Sequence, residues 1–236
     1  MFFFDPIYLL FMAPAFVLVM IAQWWVRSTY RKWSQVRNYT NMSGAEAAQR
    51  MIRQNDLSAV SVEAARGQLT DHYDPRSKKL RLSAGVANGT SVAALAIAAH
   101  ELGHAIQDKQ SYGPLRLRAA LVPAVNIGSS MGWIFIFLGL ILRSALGTQL
   151  AWIGVGMFAL GTVFAFATIP VELNASKRAR TLLSESGLIY SAEERQGVNA
   201  VLNAAAFTYV AGLAAALSQL LYYAMLVMGM GGRRRS

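Results

Sequence analysis

The chain has 236 residues, of which 55% are hydrophobic and only 14% are charged. Soluble domains contain about 25% charged residues, so this composition excludes both an ordinary water-soluble globule and an intrinsically disordered chain. The absence of cysteine excludes disulfide frameworks, thiolate metal sites and cysteine nucleophiles, and any histidine chemistry must use His72, His100 or His104.

Four stretches of the chain contain no charged residue, at 6–26, 119–142, 144–171 and 196–232. Each has at least the roughly 20 apolar helical residues that cross the hydrocarbon core of a bilayer, so we expect four transmembrane helices. The first stretch lacks the basic start of a cleavable signal peptide and is predicted to be an uncleaved anchor. The second and third should form a helical hairpin that turns near 145–148. The fourth exceeds one span, so its first turns should lie in the interface or extend a cytoplasmic helix.

The net charge of +10 is concentrated beside these apolar stretches. Four basic residues follow the first stretch closely and three precede the second. Positive charge next to membrane helices follows the positive-inside rule and suits anionic headgroups, and the chain has no recognisable nucleic-acid-binding motif. We therefore expect contact with the lipid bilayer and no nucleic acid, with 27–118 and 172–195 on the cytoplasmic face. A single crossing by the fourth stretch would conflict with this rule, because it would put the basic tail at 233–235 on the opposite side.

The hydrophilic segment after the first helix has an α+β pattern. A capping box that begins at Ser43 predicts a helix that ends near residue 57. The segments 59–62 and 79–83 alternate like short strands with a turn at 71–76 between them, and an alanine-rich helix is predicted over 92–107. We expect the second strand either to be an exposed edge that pairs with an extended substrate peptide or to lie inside a small sheet.

The alanine-rich helix contains the sequence His-Glu-Leu-Gly-His at 100–104. Histidines four residues apart lie on one face of a helix, so His100 and His104 can bind the same metal ion. Glu101 then projects beside the open coordination position, where its carboxylate can accept a proton from water. The alternative interpretation is a pair of surface histidines without a metal.

A catalytic zinc site needs a third protein ligand, for which the residues leave several candidates. No histidine follows His104, so the ligand is either a downstream carboxylate or His72 upstream. Two membrane crossings after the histidine helix return the chain to its starting face, where Glu172 is the first charged residue, and we therefore favour Glu172. Asp108 lies near the right face of the helix but is too close in sequence to complete a tetrahedral site comfortably.

With Glu172 as the third ligand, His72 is available for another role. Its imidazole could donate a hydrogen bond to the oxyanion of a tetrahedral intermediate, and Tyr73 competes for the same catalytic role. The alternative is a structural histidine in a turn, flanked by Asp71 and Asp74.

Four ordered motifs carry a resemblance to a known family. They are Leu-Thr-Asp-His-Tyr-Asp-Pro at 69–75, Leu-Arg-Leu-Ser at 80–83, Ala-Ala-His-Glu-Leu-Gly-His-Ala-Ile-Gln at 98–107, and Pro-Val-Glu-Leu-Asn-Ala-Ser at 170–176. With these motifs the chain resembles the neutral zinc metallopeptidases of the bacterial membrane, the YugP type. More distantly it is similar to the Ste24 and HtpX membrane proteases.

The resemblance implies a bacterial integral membrane hydrolase with one Zn²⁺ ion held by His100, His104 and Glu172. It also implies Glu101 as the general base. In the distant relatives the ligand glutamate begins an ExxxD pattern, whereas Ser176 stands at the aspartate position here. The carboxylate that orients a ligand histidine is therefore expected from Asp71 or Asp74 instead.

Together these observations predict a mainly α membrane protein with about four transmembrane helices and a small α+β, gluzincin-like zinc protease domain. The expected segments are a transmembrane anchor at 1–26, a protease domain with the HExxH helix at 27–118, a transmembrane hairpin at 119–171, a segment with the third zinc ligand at 172–196, and a C-terminal transmembrane helix with a basic tail at 197–236.

The predicted function is a multi-pass zinc endopeptidase of the bacterial cell membrane, which hydrolyses peptides or membrane proteins with metal-activated water. Its active site is expected on the cytoplasmic face. The alternative is a non-hydrolytic membrane scaffold or chaperone-like adaptor with a structural metal site.

Overall fold

The computed structural model describes residues 6–142 and 144–232, and most of them are helical. In chain order the elements are α1 (Pro6–Trp33), α2 (Gly44–Gln54), β1 (Ser61–Ala65), β2 (His72–Asp74), β3 (Lys79–Ser83), α3 (Ala84–Ala87), α4 (Val92–Lys109), α5 (Gly113–Leu142), α6 (Ala145–Glu185) and α7 (Ala192–Gly232). The predicted fold class, a mainly α membrane protein with a small α+β part, is confirmed. The basic tail at 233–235 lies outside the described residues.

Four helices, α1, α5, α6 and α7, are long and apolar enough to cross a membrane. In the most apolar 18-residue window of each, no more than 22% of the residues are buried inside the protein. Large apolar side chains such as Leu10, Phe16 and Phe166 are therefore exposed, which is costly in water and favourable against lipid. The prediction of four candidate spans is confirmed by length and composition.

The chain divides into two compact units, whose boundaries fall inside α1, α5, α6 and α7. The apolar unit contains the described residues up to Ile21, together with Arg116–Ile169 and those from Tyr209 onward. The α+β unit contains Ala22–Leu115 and Pro170–Thr208. All the candidate site residues belong to the α+β unit.

Within the apolar unit, α5 and α6 approach closely at pairs of glycines. A Cβ atom on Gly139 would lie 2.5 Å from the carbonyl oxygen of Gly147, and one on Gly154 would lie 2.7 Å from that of Gly132. Small residues at such positions allow helix backbones to pack together in a membrane. The chain leaves α5 at Leu142 and enters α6 at Ala145, so the break between the two helices precedes residues 145–148, which are already helical.

A capping box begins α7 upstream of the fourth apolar stretch. The Glu194 carboxylate accepts hydrogen bonds from the backbone N–H groups of Tyr190 and Ser191, and the Ser191 hydroxyl accepts one from the Glu194 N–H. These contacts satisfy N–H groups that a helix start leaves without partners. The first turns of this stretch therefore continue a helix that begins before it, at Ala192.

The α+β unit contains a three-stranded sheet with the order β1-β3-β2. The strand β3 pairs in parallel with β1 and antiparallel with β2, so 79–83 is the central strand and the hypothesis of an exposed edge there is wrong. Residues 72–74, predicted as part of a turn, form the edge strand β2 instead. A three-residue strand is too short for an alternating sequence pattern to reveal it.

The two helices predicted in this unit are present. The Ser43–Glu46 capping box begins α2, which ends at Gln54. The alanine-rich helix is α4, and most of its side chains are buried, including Leu95 and Leu102. Alanine side chains are short, so neighbouring elements can pack close to the backbone of α4.

The closest approach to α4 occurs at Gly103, in the middle of the HExxH motif. A Cβ atom on this glycine would lie 2.5 Å from the carbonyl oxygen of Ala175 in α6, a distance that side-chain atoms do not adopt. Only glycine therefore allows the two backbones to pack at this distance. The contact brings the histidine face of α4 next to the segment of α6 that contains Glu172.

We predict that Gly103→Ala destabilises the protein by about 1–3 kcal/mol, because the added methyl group forces α4 and α6 apart. The measurement is thermal unfolding in detergent, followed by circular dichroism. Gly161→Ala is the matched control, since Gly161 also lies in the interior of a helix, α6, and a Cβ atom there has no neighbour within 4 Å. Both changes gain similar helix propensity, so equal unfolding temperatures for the two variants would contradict the prediction.

Candidate metal centre

Three donor groups of the α+β unit converge on one point. The Nε2 atom of His100 lies 3.2 Å from Oε2 of Glu172, and the Nε2 atom of His104 lies 3.4 Å from the same oxygen. One ligand atom from each residue lies within 4.8 Å of the others. The helical period of α4 puts both imidazoles on one face, and α6 supplies the carboxylate from a residue far along the chain.

The burial of Glu172 indicates what this cluster can hold. The residue is only 2% exposed, and a buried carboxylate is costly unless positive charge and hydrogen bonds compensate it. Burial alone would lower the pKa of His104, but interactions with the Glu172 and Glu101 carboxylates outweigh it and raise this pKa. The cluster therefore attracts a cation, and two imidazoles with one carboxylate form a donor set typical of catalytic zinc. These residues fit a zinc ion.

The second nitrogen of each histidine ring has a partner that the sequence did not indicate. Nδ1 of His104 lies 3.0 Å from Oε1 of Gln107, and Nδ1 of His100 lies 3.3 Å from Oγ of Ser176. Such partners fix the orientation of ligand histidines. The spacing offers a clue in retrospect, because Gln107 follows His104 by three residues on the same helix and Ser176 follows Glu172 by four.

The two aspartates expected in this orienting role have other partners. Asp71 accepts hydrogen bonds from the backbone N–H and the hydroxyl of Ser83, at 2.7 and 3.0 Å. Asp74 accepts hydrogen bonds from the Arg76 N–H and the Ser77 hydroxyl. The expectation that Asp71 or Asp74 orients a ligand histidine is therefore not met by the hydrogen bonds of either side chain.

Glu101 lies next to the two histidines and contacts the edge strand. One of its carboxylate oxygens, Oε2, accepts a hydrogen bond of 3.1 Å from the backbone N–H of Tyr73 in β2. Burial raises the pKa of the Glu101 carboxyl above its ordinary value, and the positive charge of His100 and His104 opposes this shift. A carboxylate with a raised pKa is a stronger proton acceptor, as a general base requires.

The side chain of Tyr73 reaches further along α4. Its hydroxyl donates a hydrogen bond of 2.7 Å to the Asp108 carboxylate, which also forms an ion pair with Lys78. Burial and the contact with Asp108 raise the pKa of the Tyr73 hydroxyl well above its ordinary value. Asp108, one of the alternative ligands, thus lies in this hydrogen-bonded group rather than in the histidine cluster.

His72 lies on the other face of the sheet. It pairs in register with Arg81, whose guanidinium is 3.4 Å from its Nε2, and its Nδ1 lies 2.8 Å from the carbonyl oxygen of Thr70. Successive side chains of a strand point to opposite faces, so His72 points away from the side on which Tyr73 meets α4. The structure does not bring His72 to the other two histidines.

Comparisons with known proteins match the chain to proteins described as a zinc metallopeptidase and a membrane protease. Residues 8–228 match a family model described as "Putative neutral zinc metallopeptidase". The chain is similar to the "Putative membrane protease YugP" of Bacillus subtilis (strain 168), with 42% identity over 207 residues, which cover 88% of this chain and 90% of that protein. No solved structure matches the chain significantly.

We expect Glu172→Gln to weaken zinc binding by about 100-fold or more, because the neutral amide keeps the size of the side chain but loses the anionic donor, and loss of an outer partner alone costs about 10–100-fold. Zinc content after dialysis against a chelator, together with dye competition, measures this effect. Glu185→Gln is the control, since Glu185 is exposed on the same helix. Full zinc retention by Glu172→Gln would favour His72 or Asp108 as the ligand.

Proposed function

The chain belongs to the family described as "Putative neutral zinc metallopeptidase", and we propose that it is a membrane-embedded, zinc-dependent endopeptidase of the gluzincin type. The observation that carries the proposal is the convergence of His100, His104 and Glu172 beside the carboxylate of Glu101. One zinc ion is proposed to bind the first three residues. Glu101 is then left as the nearby carboxylate available for proton transfer.

The proposed reaction is hydrolysis of a peptide bond by water. A bound zinc ion would polarise the scissile carbonyl group and increase the acidity of the attacking water. The Glu101 carboxylate accepts one proton of that water and delivers it to the nitrogen of the leaving amine, so that the C–N bond is exchanged for a C–O bond.

Tyr73 is proposed to act on this reaction through its backbone. Its N–H group holds one oxygen of Glu101, which orients the other oxygen of that carboxylate. The Tyr73 hydroxyl is already bonded to Asp108, an arrangement that argues against its use as an oxyanion donor. The orientation of His72 towards Arg81 argues against the same role for that imidazole.

The proposed location is the bacterial cell membrane, with the active site on the cytoplasmic face. The charge of 27–118 supports this side, since 14 basic residues outnumber seven acidic ones there. The proposed substrates are peptides or membrane proteins near that surface. The expected segments, from the 1–26 anchor to the 197–236 helix and tail, remain the proposed domain organisation.

We predict that Glu101→Gln lowers the rate of peptide hydrolysis by at least about 100-fold while zinc stays bound, because the amide cannot accept the proton and Glu101 is not a ligand. Purified protein is loaded with zinc, and degradation of casein and of an unfolded membrane protein is followed by gel electrophoresis. Zinc content is measured on the same samples.

Glu193→Gln, which changes an exposed glutamate at the start of α7, serves as the control and should keep normal activity. Equal cleavage by wild type and Glu101→Gln would contradict the assignment of the general base. Zinc binding without cleavage of either substrate by the wild type would favour the non-hydrolytic scaffold.

A second prediction concerns Tyr73. We expect Tyr73→Phe to change kcat by less than about threefold, whereas removal of an oxyanion donor typically costs about 100–1,000-fold. Tyr73→Pro should lower kcat much more than Tyr73→Phe, because proline lacks the N–H group that holds Glu101. The check is steady-state kinetics on a fluorogenic peptide, and a 100-fold loss in the phenylalanine variant would restore the oxyanion role.

A further inference from the structure

We propose that Gln107 is a positioning residue that fixes the ring proton of His104 on Nδ1 and so leaves Nε2 free to bind zinc. The inference rests on the proposed zinc site, because it concerns how one of its ligands is prepared. Gln107 is fully buried, with 0% of its surface exposed, and its side chain makes three polar contacts.

The first step is the orientation of the Gln107 amide. Its Nε2 atom lies 2.8 Å from the carbonyl oxygen of Val171 and 3.0 Å from Oδ1 of Asn174. A backbone carbonyl group can only accept hydrogen bonds, so the atom that faces Val171 must be the NH₂ group. The carbonyl end of the amide is therefore the end that faces His104.

A second contact supports the same orientation. Oδ1 of Asn174 also accepts a hydrogen bond of 2.7 Å from Nε of Arg178. A guanidinium group can only donate, so Asn174 must present its oxygen to Arg178 and to Gln107. Arg178 thus fixes the orientation of the Asn174 amide, and Asn174 fixes that of the Gln107 amide. The Gln107 amide in turn contacts His104.

The consequence for His104 follows from hydrogen-bond chemistry. Oε1 of Gln107 can only accept, so the nitrogen 3.0 Å from it, Nδ1 of His104, must carry the proton. A neutral imidazole has one N–H group, and its other nitrogen has a free electron pair. That other nitrogen is Nε2, the atom that faces Glu172.

The other ligand histidine is not constrained in this way. The partner of Nδ1 in His100 is the hydroxyl of Ser176, which can either donate or accept a hydrogen bond. Ser176 therefore accommodates either tautomer of His100, whereas Gln107 accommodates only one of His104. The proposed centre combines one histidine with a fixed tautomer and one whose tautomer can adjust.

The experiment compares Gln107→Met with Gln107→Glu by zinc affinity, measured in chelator competition on the full-length protein in detergent. The methionine fills the same space but cannot accept a strong hydrogen bond, so we expect zinc affinity to fall about 10–100-fold. The glutamate keeps an acceptor for the Nδ1 proton and should retain affinity within about threefold of wild type. Thermal unfolding establishes that both variants are folded.

If Gln107 served only for packing, Gln107→Met would bind zinc more tightly than Gln107→Glu. The methionine would preserve the buried volume, whereas the glutamate would leave the Val171 carbonyl without its hydrogen-bond donor. Equal affinities for the two variants, or tighter binding by Gln107→Met, would overturn the proposal.

Wild-type protein provides an independent readout through ¹⁵N NMR of histidine in the zinc-loaded state. We expect a proton on Nδ1 of His104 that exchanges slowly with solvent, because it is hydrogen-bonded to a buried amide. Absence of a proton on that nitrogen would overturn the proposal. Neither measurement needs peptidase activity, so a zinc-binding protein without hydrolysis would refute the proposed function alone, whereas a wild type that binds no zinc would refute both.

Discussion

The arrangement of the three candidate zinc ligands depends on the contact between α4 and α6 at Gly103. The carbonyl oxygen of Ala175 in α6 lies 2.5 Å from the position that a Cβ atom on Gly103 would take. His100 and His104 belong to α4, and Glu172 belongs to α6. Because all three ligands lie on helices and not on loops, the contact between the helices sets the distance between the imidazoles and the carboxylate. Glycine in the middle of a helix lowers helix stability by about 1 kcal/mol relative to alanine. At Gly103 this loss accompanies the close packing of the two helices that carry the three donor groups.

The polar groups around this contact are well satisfied, although most are shielded from water. Among the described residues, Ser186 has the one buried side-chain polar atom that lacks a hydrogen-bond partner, and it directly follows the end of α6. An unpaired buried polar group typically costs about 1–3 kcal/mol, so Gln107 and Ser176 matter for stability as well as for ligand orientation. Neutral partners raise the basicity of an imidazole less than an aspartate would, so these histidines would donate less electron density to a bound zinc ion.

Much of the architecture could be predicted because it follows from one-dimensional patterns. The gaps between charged residues locate the four long helices, the spacing of the two histidines defines a helix face, and counting crossings leads to Glu172. The strand β2 and the central position of β3 could not be predicted, because strand order depends on pairing between distant segments. The contacts of Gln107 and Ser176 with the histidine rings could not be predicted for a similar reason. Neither residue type suggests a metal site, and the contacts become visible only when the positions of the ring nitrogens are known.

The separation of the donors along the chain has a consequence for biosynthesis. His100 and Glu172 are 72 residues apart, and the apolar helix α5 and the apolar part of α6 lie between them. A nascent chain therefore carries both histidines and the glutamate of the HExxH motif before the third donor exists beside them. The three candidate ligands can come together only after the chain has been synthesised as far as Glu172, so a shorter nascent chain lacks the third donor of the proposed zinc site.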